Sequence, residues 1–385
     1  MTAGPTIPLP PPILDGEDFP RLNTWFYAVE PHEYFDKRLG LLVVQAGKPD
    51  AVESIIRGGV EYEGFRIGGP GLAGDGEARR DDPRDDEEDA RRHVQYVIAE
   101  SVALLHYVSE TLLRFYFAHV GLPPCPWLEI AKELNHVSFK KRIEARFDGA
   151  ELTDERRRDV AQVFFPSASS PPSGATREAW LEGIENLEQW LTHFAHWFLD
   201  ESNLFNSVKH GLAVHPGKSG IELNTPEDER LGRNPPLIHA KGPSVAFLEK
   251  TGDPRRWHYT TRWVEPQRLM AETVMALRLL RGIWQIGRIR YTDLEKGRVR
   301  LDLFTQPGHK EYLDSFLEPG ENARLIINRM SMDLGYRYAY GPELVCVKCG
   351  RKPEPGELAQ TTWRGKAEPC SVLEPFCPQC ATLAG

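Results

Sequence analysis

From Thr176 to Val214 the apolar residues recur at Trp180, Ile184, Leu187, Leu191, Phe194, Phe198, Phe205, Val208 and Leu212. The spacing is three or four residues, apart from the gap between Phe198 and Phe205. That rhythm predicts one long helix packed along its length. Trp190, Trp197 and Leu204 widen the seam. With about 100° of rotation per residue, Thr192, His196, Asn203, Asn206 and His210 form a polar stripe on the far side. Gly211 stands where helices tend to stop.

A second helix is predicted over Asp85–His119, acidic in its first turn, as suits the positive end of the helix dipole, and apolar nearly all round beyond it. His106, Glu110 and Arg114 interrupt that pattern at i, i+4 and i+8. They read either as a polar stripe entering a site or as a satisfied Glu–Arg pair on an exposed edge, and the pair is favoured. Shorter helices are expected over Trp127–Phe147 and 151–165, and a third long one over Pro266–Tyr291. The basic clusters Lys140–Arg142 and Arg156–Arg158 read as solvated faces. Strands are expected over Trp257–Val264, Lys296–Phe304 and Ala323–Asn328, and a short helix with strands between Trp25 and Ile67. Ser167–Gly174 reads as a linker, and prolines make 215–255 look irregular. The organisation this implies is a proline-rich and mixed segment over 1–84, a helical bundle over 85–292, a small β-containing connector over 293–340, and a cysteine-bearing tail over 341–385.

Composition narrows the function classes. The chain of 385 residues has a formal net charge of −9, and the acidic run from Glu77 to Asp89 accounts for over half of it. The remainder can therefore still carry a local basic surface. No apolar stretch is long enough to span a membrane, and no basic segment leads an apolar one at the N-terminus. The expectation is a cytoplasmic protein with no membrane partner. Gly68–Gly76 lacks the Gly-Lys-Ser/Thr of a phosphate loop. Gly217-Lys218-Ser219 lacks the required earlier glycine, because Leu212 stands there.

Two patterns carry chemistry. Cys346-Val-Lys-Cys349 and Cys377-Pro-Gln-Cys380 can wrap one zinc tetrahedrally. Four protein ligands leave no open position, so the zinc is expected to be structural, pinning a small ribbon; a redox dithiol is the alternative. Cys370 is a spare fifth thiol. In Asn206-Ser-Val-Lys-His210, Asn and His at i, i+4 share a helix face. A histidine there can act as acid or base on a ribose 2′-hydroxyl or a leaving oxygen, although a solvent-facing helix shows the same stripe.

The segment Ser109-Glu110-Thr-Leu-Leu-Arg114 on one helix, with Asn-x-x-Lys-His-Gly ending a later one, resembles the HEPN superfamily over roughly residues 90–290. The resemblance implies a mainly α, often dimeric helical bundle, here with a small β element and a C-terminal zinc ribbon. It also implies RNA as a partner and, in the active members, a metal-independent ribonuclease of toxin or phage-defence systems. Those members carry Arg-Asn-x-x-x-His. Asn206 and His210 match the last two positions, and Phe205 stands at the arginine. On this reading His210 is the acid/base, Asn206 orients it, and Asn203 and Lys209 support it. Arg278, Arg281 and Arg288, grouped on one side of the third long helix, contact phosphates. The alternative is a non-catalytic dimeric scaffold that binds a partner protein and keeps the structural zinc.

Overall fold

In the computed structural model, the residues described are 16–48, 60–62, 65–67, 83–133, 135–149, 152–209, 214–224, 236–251, 256–292, 302–305, 329–333, 364–365 and 373–374. They are mainly helical. The helices are α1 (Phe19–Phe26), α2 (Pro31–Gly47), α3 (Pro83–His119), α4 (Pro126–Lys132), α5 (His136–Phe147), α6 (Asp154–Phe164), α7 (Arg177–Asp200), α8 (Ser202–Lys209) and α9 (Pro266–Tyr291). The chain divides into two compact units. One comprises Met1–Val43, Leu104–Ser202 and Met270–Phe316; the other comprises Val44–Ala103, Asn203–Leu269 and Leu317–Gly385.

The first unit is a helical assembly. Leu104, Leu105, Val108, Leu112 and Leu113 of α3 are buried in its core, as are Phe139 and Ile143 of α5. The α7 seam joins them with Leu187, Leu191, Phe194 and Phe198, and α9 adds Leu279, Leu280 and Ile283. Each such side chain removed from water contributes about 1.5–3 kcal/mol, so this seam outweighs any single polar contact in holding the unit together. Helix starts follow local chemistry. Thr176 Oγ1 accepts from the Ala179 N–H at 3.2 Å, and Thr153 does the same for Arg156. Asn135 accepts from Val137 and Ser138 at 2.9 and 3.3 Å. This cap starts α5 afresh, so the single helix expected over 127–147 is two helices.

The long helix expected over 176–214 is also divided. Glu201 has φ −97° and ψ 13°, well away from helical ψ, and ends α7 with its N–H on the Trp197 carbonyl. Ser202 Oγ then donates to the Leu199 carbonyl at 3.0 Å. The break falls inside the seven-residue gap in the apolar rhythm. Val214, expected at the end of the long helix, belongs to a strand rather than to a helix.

The second unit carries a four-stranded antiparallel sheet in the order β3 (Val214–Asn224), β4 (Pro236–Thr251), β5 (Arg256–Trp263), β6 (Arg329–Asp333). A short hairpin joins β1 (Val60–Tyr62) to β2 (Phe65–Ile67), and β7 (Arg364–Gly365) pairs with β8 (Leu373–Glu374). The sheet corrects the expectation of irregular chain over 215–255. Pro216 lies on β3, an edge strand. Pro243 pairs with Lys218 of β3, whereas β5 begins its pairing with β4 only at Ser244. At Pro243, therefore, β4 has one ladder neighbour, and the missing N–H removes no ladder bond on the other side. The strand expected over Ala323–Asn328 lies outside the described residues, and β6 follows it. Residues 302–305, expected at the end of a strand, have no regular structure.

Candidate functional site

On α8, Leu204 and Phe205 are buried while Asn203, Asn206 and Lys209 are exposed. The helix thus keeps one apolar face inward and presents the proposed Asn and Lys outward. Phe205, at the position where the resemblance places an arginine, is 6% exposed and belongs to the core. His210 lies outside the described residues. Thr192 and His196 sit on α7, so the polar stripe is carried by two helices rather than one.

Asn203 is anchored. Its Nδ2 donates to Glu249 Oε2 at 3.1 Å. The same carboxylate accepts from Arg329 Nη2, 2.7 Å from both oxygens, and from Thr260 Oγ1 at 2.6 Å. Burial alone would raise the pKa of Glu249, but these hydrogen bonds and the Arg329 charge hold it below the ordinary carboxylate value. A buried anion so fully paired is a fixed anchor for the first turn of α8. The sequence carried a signal for it: Glu249 falls among the apolar positions of a strand, where a lone acid needs a partner.

The three candidate phosphate-binding arginines belong to α9 in the first unit and have local partners. Arg278 Nη2 lies 2.5 Å from Asp302 Oδ2, and its guanidinium sits 5.7 Å from the Phe304 ring centroid. Arg281 Nε donates to His32 Nε2 at 3.0 Å, with Asp36 3.9 Å away. Burial, then the Arg281 charge, lowers the His32 pKa, and Glu30 Oε2 lies 3.0 Å from the same ring nitrogen. Arg288 stacks over Trp284 at 5.0 Å. The Glu110–Arg114 pair forms at 2.8 Å, as expected, but both side chains are part-buried rather than on an exposed edge. Arg114 also covers the Phe139 ring at 4.2 Å.

One arrangement in the first unit was not foreseen. Glu188 of α7 is 4% exposed and is held by Arg146 Nη1 at 3.0 Å and Arg156 Nε at 2.7 Å. Arg146 Nη2 also donates to the Tyr116 hydroxyl at 2.6 Å. Arg156 is therefore not part of a solvated basic face, contrary to expectation. Above this network opens a groove of 910 Å³ between residues 147–149, Leu152, Arg156 and Arg157 on one side and the polar face of α7 on the other. His193 and His196 line it, and Glu272 of α9 lies 3.2 Å from His193 Nε2.

The four zinc-candidate cysteines lie outside the described residues, and among the described residues no cluster of His, Cys, Asp or Glu could hold a metal. Among them, too, no helix is long and apolar enough to cross a membrane. What the described residues define is a mainly helical chain with a four-stranded antiparallel sheet in its second unit. No protein-family model, curated protein or solved structure matches it.

Proposed function

We propose that the chain is a HEPN-like protein that binds RNA and cleaves it without a metal ion, as members of toxin and phage-defence systems do. The observation that supports this reading is the exposure of Asn206 and Lys209 on α8, directly before His210, with the start of that helix anchored through Asn203 and Glu249. His210 takes the proton of a ribose 2′-hydroxyl. The 2′-oxygen attacks the adjacent phosphorus as the P–O5′ bond breaks, the 5′-oxygen takes a proton from solvent water, and the imidazolium returns its own to solvent, giving a 2′,3′-cyclic phosphate and a free 5′-hydroxyl. Asn206, one turn before His210, orients the imidazole, and Lys209 supplies positive charge near the phosphate. Arg278, Arg281 and Arg288 add phosphate contacts, for which Arg278 and Arg281 must exchange their present acidic neighbours. A homodimer completes the cleft, and Cys346, Cys349, Cys377 and Cys380 hold one structural zinc in the tail.

Two observations favour a second reading, a non-catalytic dimeric scaffold with the same zinc. The arginine position is occupied by a core phenylalanine, and Arg278 and Arg281 already have acids beside them. One experiment separates the readings: total RNA incubated with wild type and His210→Ala, with and without chelator, alongside zinc analysis. Chelator-resistant cleavage that is lost in the variant, from a protein holding one zinc per chain, is the expected outcome. Cleavage that survives the substitution sinks the catalytic assignment. A dimer that neither cleaves nor shifts RNA at low salt establishes the scaffold.

A further inference from the structure

We propose that the groove on the polar face of α7 binds a nucleobase with its ribose. Its 910 Å³ lies within the size range of small-molecule sites, roughly 300–1,000 Å³. Along α7, Glu185, Gln189, Thr192 and His196 line it at i, i+4, i+7 and i+11, so they form one row of donors and acceptors. His193 stands beside that row with its ring held by Glu272, whose side chain is only 3% exposed. Leu152 adds apolar surface across the groove, with Phe147 buried behind the lining. A flat ring with apolar faces and a hydrogen-bonding edge fits such a lining.

Charge decides which part of a nucleotide is held. Arg156 and Arg157 suggest a phosphate site, yet both face carboxylates. Arg156 is engaged with Glu188 and with the Gly149 carbonyl. Arg157 lies 3.2 Å from Asp154 and 3.5 Å from Glu185. With Asp148, Glu185 and Glu188 all lining the groove, the acids outnumber the two arginines, and a phosphate gains little there. The base and sugar are therefore the bound part. Choosing a nucleobase over other flat polar ligands rests on the RNA reading above.

The test is calorimetric titration of the full chain with guanosine, adenosine, cytidine and uridine, and with their 5′-monophosphates. At least one nucleoside binds at one per chain, and its monophosphate binds within about threefold as tightly, a difference under 1 kcal/mol. Gln189→Ala with Thr192→Val weakens that binding about tenfold or more, the loss of one to two net hydrogen bonds. The thermal midpoint of this variant stays unchanged, because both substitutions are on the groove surface. Binding of no nucleoside at millimolar concentration overturns the proposal. So does a monophosphate that binds more than tenfold tighter, or an affinity that the double variant leaves intact. A short oligoribonucleotide that displaces the nucleoside identifies the ligand as an RNA base; failure to displace it identifies a free nucleoside. His210→Ala keeps nucleoside affinity, so loss of cleavage there and loss of binding in the groove variant fail separately.

Discussion

Glu188 is the residue whose removal should be felt most. It is buried between two guanidiniums, and truncating it removes the nearest carboxylate from Arg146 and Arg156, leaving Arg146 with the more distant Asp159 at 3.7 Å and the Tyr116 hydroxyl. Breaking a buried pair from one side costs about 3–5 kcal/mol, far more than the pair itself adds over an apolar replacement. Glu188→Ala should therefore lower the urea midpoint sharply, while Glu185→Ala on the exposed face changes stability by about 0.5 kcal/mol or less. Equal effects from the two would refute the burial argument. Of these residues, only Arg156 was noticed from the sequence, and it was read as solvated. Position along a helix tells which side a residue faces, but not that two arginines from α5 and α6 meet an acid of α7 from more than thirty positions away. The Glu110–Arg114 pair was legible because its partners are one turn apart and need no tertiary information.

At the level of elements, the same distinction between local and distant information holds. The α9 helix and β5 lie within a residue of where periodicity places them, and α3 within two. The breaks at Glu201 and Asn135 were missed because the apolar rhythm resumes after each and neither Gly nor Pro marks it. The β3–β4 hairpin was missed because its prolines read as breakers, and only the ladder shows that Pro216 and Pro243 lie where bonds are not needed. Two glycines offer a test of packing against intrinsic propensity. Both lie in helices, where Gly→Ala should stabilise by about 1 kcal/mol. Around Gly40 of α2 nothing lies within 4 Å of an added Cβ, so Gly40→Ala should raise the thermal midpoint. At Gly183 of α7 an added Cβ would run into the backbone carbonyl of Leu303, so the same change should lower it. If both variants are stabilised, residues 302–305 do not sit on α7 as described.

Across the whole molecule, acid should act before the carboxylates titrate. Burial drives the His106 pKa down to about 3 and that of His119 down to about 4. His119 is fixed neutral between the Phe115 carbonyl and the Tyr27 hydroxyl, at 2.6 and 2.5 Å. Unfolded histidine binds its proton near pH 6.5, and these folded rings do not. The stability they contribute is therefore full above pH 6.5. It falls steadily as pH drops toward 4, at about 1.4 kcal/mol per unit for each ring. Thermal midpoints should decline between pH 7 and pH 5, with a shallower slope in His106→Leu. A flat profile over that range would mean that the rings are solvated. The overall mixture of helices and one small sheet was legible from periodicity, whereas the sheet's extent and the α7 groove were not. Both depend on which distant segments meet, and one sequence does not encode that in its spacing.

The docking of residues 302–305 also offers a way to recognise distant kin. Gly183 admits the Leu303 carbonyl, and one turn later Asn186 donates to the Phe304 carbonyl at 2.8 Å. Apolar residues of α7 tolerate exchange for others of similar size in a descendant of the same ancestor. Such a descendant cannot place a larger side chain at the first position without moving a strand of backbone that the second position holds. A Gly-x-x-Asn step inside a tryptophan-rich helix is thus the mark by which a lineage could be traced after overall similarity has faded.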